Sequence, residues 1–106
     1  MSENKERENL ELLIKLSKEA KSQRKLASEV GFSLGKINYC LKALKNKGLI
    51  KLRNFKNNQN KLNYVYILTP KGISKKTELA VKFMKKKMKE YDELKNAIEK
   101  DSSSER

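Results

Sequence analysis

The residues best suited to recognition chemistry lie between Ser33 and Gly48, in the segment SLGKINYCLKALKNKG. Spaced at 100° per residue, Gly35, Lys36, Asn38, Tyr39, Lys42 and Asn46 share one side of a short helix that holds no acid. Lysine can donate to guanine O6 and N7, and asparagine can bond bidentately to adenine N6 and N7. Lys36, Asn38, Tyr39 and Lys42 are therefore placed in a DNA major groove, and Gly35 lets a backbone or base edge come close. Ser33, with the N–H groups that open this helix, is placed on a phosphate, as are Gln23 and Arg24 at the start of the preceding helix. For any single lysine the plain alternative is solvation. Tyr39 is harder to dismiss, because a phenol on a polar helix face has little structural use.

Catalytic and metal chemistry find no support. The chain has no histidine, which removes the commonest general base and the commonest metal ligand. Its one cysteine, Cys40, flanks an apolar stripe and reads as a small core residue rather than a reactive thiol. One thiol cannot supply the three or four ligands of a structural zinc site, so no metal is expected. No phosphate-binding loop is present, the acids are unpaired, and no cofactor is implied. The chain reads as a non-enzyme.

The elements that must position the basic face follow from periodicity. Leu34, Ile37, Leu41 and Leu44 form the apolar stripe of the helix over 33–48, with Ser33 as N-cap and Gly48 as terminator. Ahead of it, Ser22 caps a short helix in which Leu26, Ala27 and Val30 face inward, and Gly31 closes it. A first helix spans roughly Lys5 to Glu19, with Leu10, Leu13, Ile14 and Leu16 or Ser17 inward. Its acids lead and its lysines trail, as the helix dipole favours. Ala20–Lys21 marks a break. A small residue such as Ala27 allows two helices to cross closely, and Gly31 makes the tight turn of a helix-turn-helix over Gln23 to Lys42.

Charge agrees with this placement. Across 106 residues, 26 Lys and Arg face 13 Asp and Glu, a net charge of +13. Residues 15–61 hold thirteen cations and two acids, so nearly all the surplus lies in that stretch. Segregation of that kind marks a polyanion partner. No stretch approaches the ~18 apolar residues of a membrane span. The opening MSENKERENL is no secretory signal, so a cytoplasmic location is expected.

After Gly48, residues 49–55 and 62–69 have β-type composition around the polar, basic 56–61, which predicts a hairpin. Alternation leaves its buried face open, with Ile50, Leu52, Tyr66 and Leu68 favoured. Arg53, Lys56, Asn58 and Lys61 would follow the DNA backbone or enter the minor groove. A long helix then runs from about Ile73 to Lys100, without Gly or Pro. Its stripe of Val81, Met84, Met88, Tyr91, Leu94 and Ile98 exceeds what so small a core can cover, so pairing with a second subunit is expected, parallel or antiparallel. The alternative is packing on the first helix of the same chain. Residues 101–106 read as a disordered tail. The fold class is mostly α with a small β-hairpin: a winged helix-turn-helix over 5–72, then a dimerisation helix over 73–100. Two other readings of the same features are an RNA-binding winged helix and a protein-interaction module using the last helix and the basic patch.

With the hairpin in place, LKALKNKGLIKLRNF (41–55) and YVYILTPKG (64–72) resemble MarR-type winged-helix transcriptional regulators. With SQRKLASEVGFSLGKINYCLKAL added, the chain looks closest to the short MarR-like subgroup associated with bacterial exopolysaccharide gene clusters. The similarity covers roughly residues 8–98. It implies a homodimer bound to double-stranded DNA through the helix over 33–48 and the wing over 53–61. Full-length members are longer and often bind an aromatic effector between their DNA-binding and dimer regions. The shorter chain lacks room for that full dimer domain, which argues against such a pocket.

Overall fold

A computed structural model describes residues 3–56 and 62–104, with the side chains of Phe55, Lys56, Leu62 and 101–104 left aside. The order is α1 (Glu3–Lys18), α2 (Gln23–Val30), α3 (Leu34–Asn46), β1 (Ile50–Lys56), β2 (Leu62–Leu68) and α4 (Pro70–Ser104). Among the described residues no helix is long and apolar enough to cross a membrane.

Local chemistry sets the turns. The Ser22 hydroxyl accepts from Lys25 N–H and the Ser33 hydroxyl from Lys36 N–H, each at 3.2 Å, so both expected N-caps form. Gly31 and Gly48 each take φ of 75°, the left-handed conformation that lets a helix stop abruptly. After Gly48, Leu49 N–H donates back to Leu44 O at 3.0 Å and the chain enters β1.

The core is one cluster in which Leu12, Leu13 and Leu16 of α1 meet Leu26 and Ala27 of α2, Ile37, Cys40, Leu41 and Leu44 of α3, then Leu49, Ile50 and Leu79. Two sequence expectations are corrected here. Leu34 does not join the stripe of α3; it stands 59% exposed in the first turn, ahead of where the other helices cover α3. In α1 the inward residues include Leu12, while Ile14 lies outward, because α1 packs on α2 and β2 on one side and on α4 on another.

Strands β1 and β2 pair antiparallel, with Ile50 opposite Leu68 and Leu52 opposite Tyr66. Ile50, Tyr66 and Leu68 pack on the core as favoured, but Leu52 remains 39% exposed, nearer the tip than the helices reach. On the other face Lys51 opposes Ile67 and Arg53 opposes Val65, pairing long side chains with half-buried apolar ones. The expected break at Ala20–Lys21 is more than a turn. Lys21 N–H donates to Tyr66 O at 3.3 Å and Tyr66 N–H to Lys21 O at 2.8 Å, a one-residue third strand beside β2.

The junction into α4 explains the Thr-Pro-Lys-Gly segment. Thr69 Oγ1 donates to Gly48 O at 2.6 Å and accepts from Gly72 N–H at 3.0 Å, so it both caps α4 and ties it to the end of α3. Pro70 then occupies the first helical position, where its missing N–H costs nothing. Gly72 is demanded by space: a Cβ there would lie 1.9 Å from Leu49 O. Helix α4 therefore starts three residues earlier than expected. It also stays helical to Ser104, past the expected start of a tail at Asp101.

Thirty-five residues at 1.5 Å each give a helix of about 50 Å. Its first half packs on α1 through Leu79 and Phe83, residues absent from the expected stripe, with Lys82 Nζ bonded to Glu6 Oε1 at 2.7 Å and Lys86 bonded to Glu3. Packing on the same chain and the exposed stripe thus coexist on different faces. Beyond Phe83 every described side chain of α4 is exposed.

A candidate nucleic-acid interface

Helix α3 buries Ile37, Cys40, Leu41 and Leu44, and that choice of inner face decides what points outward. Gly35, Asn38, Tyr39, Lys42 and Asn46 are all exposed, and Tyr39 is 64% accessible. A Cβ added at Gly35 would meet nothing within 4 Å, so that face is open space. Tyr39, Lys42, Ala43 and Asn46 line one shallow depression. These expected groove residues are therefore brought together on one surface.

Lys36 differs from the expectation of an uncommitted donor. Its ammonium pairs with Glu8 of α1 and sits 4.3 Å from the Phe32 ring centroid. Hydrogen bonding to Glu8 is the main reason its pKa is raised. Lys5, one turn before Glu8, lies 5.5 Å from the Tyr39 ring centroid. The start of α1 thus borders the exposed face of α3. Sequence spacing offers no sign of this, because the pairing exists only once α1 crosses α3.

The phosphate candidates are distributed around this face. Ser33 caps α3 with its oxygen, which leaves the hydroxyl proton for an outside acceptor. Gln23 is half-buried and Arg24 exposed in the first turn of α2. Arg53 is exposed on β1, and the Lys56 backbone lies at its end. Asn58 and Lys61 lie outside the described residues.

The wing is seated by a group that periodicity overlooks. Lys21, only 5% exposed, places its ammonium 3.0 Å from Glu19 Oε1 and 2.9 Å from Glu29 Oε2. A buried ammonium requires such partners. Hydrogen bonds from Lys21 and Lys25 hold Glu19 at a pKa of about 2, and the bond from Lys21 lowers that of Glu29. The same residue bridges to β2 through its backbone, so α2 and the wing are fixed to each other. Burial pushes the Cys40 thiol up, as suits its place in the core. Among the described residues no three of Cys, Asp and Glu gather closely enough to hold a metal ion.

These features define a class of fold: the helix-turn-helix of α2 and α3, followed by the wing of β1 and β2, is a winged helix-turn-helix. A family model described as winged helix-turn-helix DNA-binding matches residues 10–51, which run from α1 into β1. Comparison with curated protein sequences finds no match. Among solved structures, the chain is similar to ZitR of Lactococcus lactis, a zinc-responsive MarR family member, with a TM-score of 0.64 and 24% identity over 89% of this chain and 60% of that one. It also matches wild-type ZitR in complex with DNA, with a TM-score of 0.59 and 25% identity over 83% of this chain and 58% of that one. A third match is the transcriptional regulator BldR of Sulfolobus solfataricus, with a TM-score of 0.60 and 22% identity over 76% and 58% of the two chains. The fold is thus that of MarR-type regulators, and this chain spans about 60% of the ZitR chain's length.

Proposed function

We propose that this chain is a transcriptional regulator that binds double-stranded DNA as a homodimer, with α3 in the major groove and the wing on the backbone or in the minor groove. The observation that carries the reading is the exposed face of α3, where Gly35, Asn38, Tyr39, Lys42 and Asn46 meet solvent together with no acid among them. The DNA complex of ZitR, a protein of the same fold, supports it. Gln23, Arg24, Ser33 and Arg53 hold phosphates around that contact, with Lys56, Asn58 and Lys61 at the wing. Lys36 joins them once it leaves Glu8. The task is binding in the cytoplasm, without catalysis, cofactor or metal. One aromatic, Tyr39, stands on this face, whereas single-stranded RNA readers stack bases on several. The exopolysaccharide association is a matter of neighbouring genes, and mapping genomic binding sites tests it.

Binding to duplex DNA at two salt concentrations tests the mechanism. Each phosphate neutralised contributes a slope of about −0.9 to log K against log salt, so several contacts give a steep loss. Affinity that hardly changes with salt overturns the reading. The double variant Tyr39→Ala, Lys42→Ala should fold normally, because both side chains face solvent, and should lose on the order of 1–3 kcal/mol of discrimination per base contact. Unchanged preference for the operator would remove these two residues from the groove.

A further inference from the structure

Beyond Phe83, α4 carries Met84, Met88, Tyr91, Leu94 and Ile98, all more than half exposed and on one side of the helix. A stripe of this kind needs a covering surface. Helix α1 cannot supply it, since α1 already holds the Leu79 and Phe83 face, roughly a quarter turn away. The charges along the same helix say what does. Residues 82–89 contain Lys82, Lys85, Lys86, Lys87 and Lys89 and no acid. Lys82 and Lys86 are occupied by Glu6 and Glu3, and the other three make no ion pair among the described residues. Residues 90–101 contain five acids and two lysines, a net charge of −3. The helix thus changes sign between Lys89 and Glu90, in the middle of its exposed apolar stripe.

We infer that α4 pairs antiparallel with α4 of a second copy of this chain, crossing at the Lys89–Glu90 boundary, so that the cationic segment of each copy lies along the acidic segment of the other. This inference rests on the homodimer reading above and deepens it. A parallel pairing would set three uncompensated lysines against the same three, and the acidic segments against each other. Like charges held close are destabilising, whereas antiparallel pairing makes both halves attractive. The apolar residues agree with the same crossing. Val81, Met84, Met88, Tyr91 and Ile98 follow a heptad seam, whose one polar position is Lys95. Reversal about the 89–90 boundary sets Met88 beside Tyr91 of the second copy and Val81 beside its Ile98. Lys85 then flanks the second copy's Asp92. Lys87 borders both the apolar groove between α1 and α4 and the hollow along the stripe, so the second copy's acidic end has a continuous bed.

Disulfide trapping reads the orientation. In a Cys40→Ala background, Val81→Cys and Ile98→Cys are prepared singly, mixed to exchange subunits, and oxidised. Antiparallel pairing gives a covalent dimer in the mixture, in up to about half the dimers by random exchange, and none in either variant alone, because like positions lie about 25 Å apart. Self-linkage of each variant alone means a parallel helix pair and overturns the inference. A dimer that links in no arm overturns the pairing of this stripe. Sedimentation showing only monomer overturns the homodimer as well, while the salt dependence of DNA binding is scored separately. A second variant keeps Cys40 intact. Lys85→Glu should weaken dimerisation about tenfold, and adding Asp92→Lys should restore it. A parallel pair predicts the opposite for Lys85→Glu, a tighter dimer.

Discussion

Two glycines show how much a single hydrogen in place of a side chain can decide. At Gly35 a side chain would meet nothing in the protein, so the position is free for whatever approaches α3. At Gly72 a Cβ would overlap Leu49 O, a backbone atom that cannot swing aside. Gly72→Ala would gain roughly 1 kcal/mol of helix propensity. The clash dominates, with an expected loss of about 3 kcal/mol and a thermal midpoint lower by on the order of 10–20 °C. A calorimetric midpoint at or above that of the unaltered protein would show that α4 can shift away from the α3–β1 junction. Glycine at 72 is legible in the sequence, but its necessity is not, because the colliding oxygen lies 23 residues earlier in the chain.

Among the elements, α1 is a hub as well as a core helix. Its acids reach α4 through Glu3 and Glu6, and α3 through Glu8. Glu8 is an anion at the border of the proposed DNA-binding surface, and it occupies Lys36. Glu8→Gln should therefore tighten DNA binding about two- to fivefold at low salt, with the gain shrinking as salt screens it. Weaker binding would show instead that Glu8 holds Lys36 in its working position. The wing depends on a second polar link, Lys21 with Glu19 and Glu29. Both carboxylates have folded pKa values below the ordinary 4.5, Glu19 at about 2. Their contribution to stability is complete above about pH 4.5 and is lost as pH falls toward 2. Lys21→Met removes the largest cause of both depressions and leaves Lys25 beside Glu19, so urea midpoints across pH 2–6 should fall less steeply in the variant. Parallel acid limbs for the two proteins would refute a role for this link.

The whole molecule extends over 74 × 24 × 24 Å, much of that length being α4. A winged helix at one end and a bare apolar stripe toward the other suit a protein that binds DNA with two heads joined by their long helices. Met88→Glu should leave the winged domain folded, since that side chain is exposed, and convert the protein to monomer in sedimentation. Affinity for a two-site duplex should then fall far more than affinity for a single half-site. An unchanged sedimentation coefficient would place the subunit contact elsewhere.

Much of this design was legible in the residues themselves. The caps Ser22 and Ser33, the stops Gly31 and Gly48, the helix-turn-helix, the hairpin and the basic outer face of α3 all follow from local rules. Capping, left-handed glycine and amphipathic period are properties of a few adjacent residues, so a linear reading suffices for them. The misplaced Leu34, the two faces of α4, the third strand at Lys21 and the Glu8–Lys36 pair lie beyond such rules. Each depends on which distant segment arrives beside it: Leu34 is bare because it opens α3 a turn ahead of the buried Ile37, where packing begins to close around the helix, and Lys21 is buried because β2 and Glu29 close over it. Local sequence determined the elements and the chemistry they carry. Only tertiary packing decided which of those groups remain open to a partner, because burial and ion pairing are set by neighbours far away in the chain.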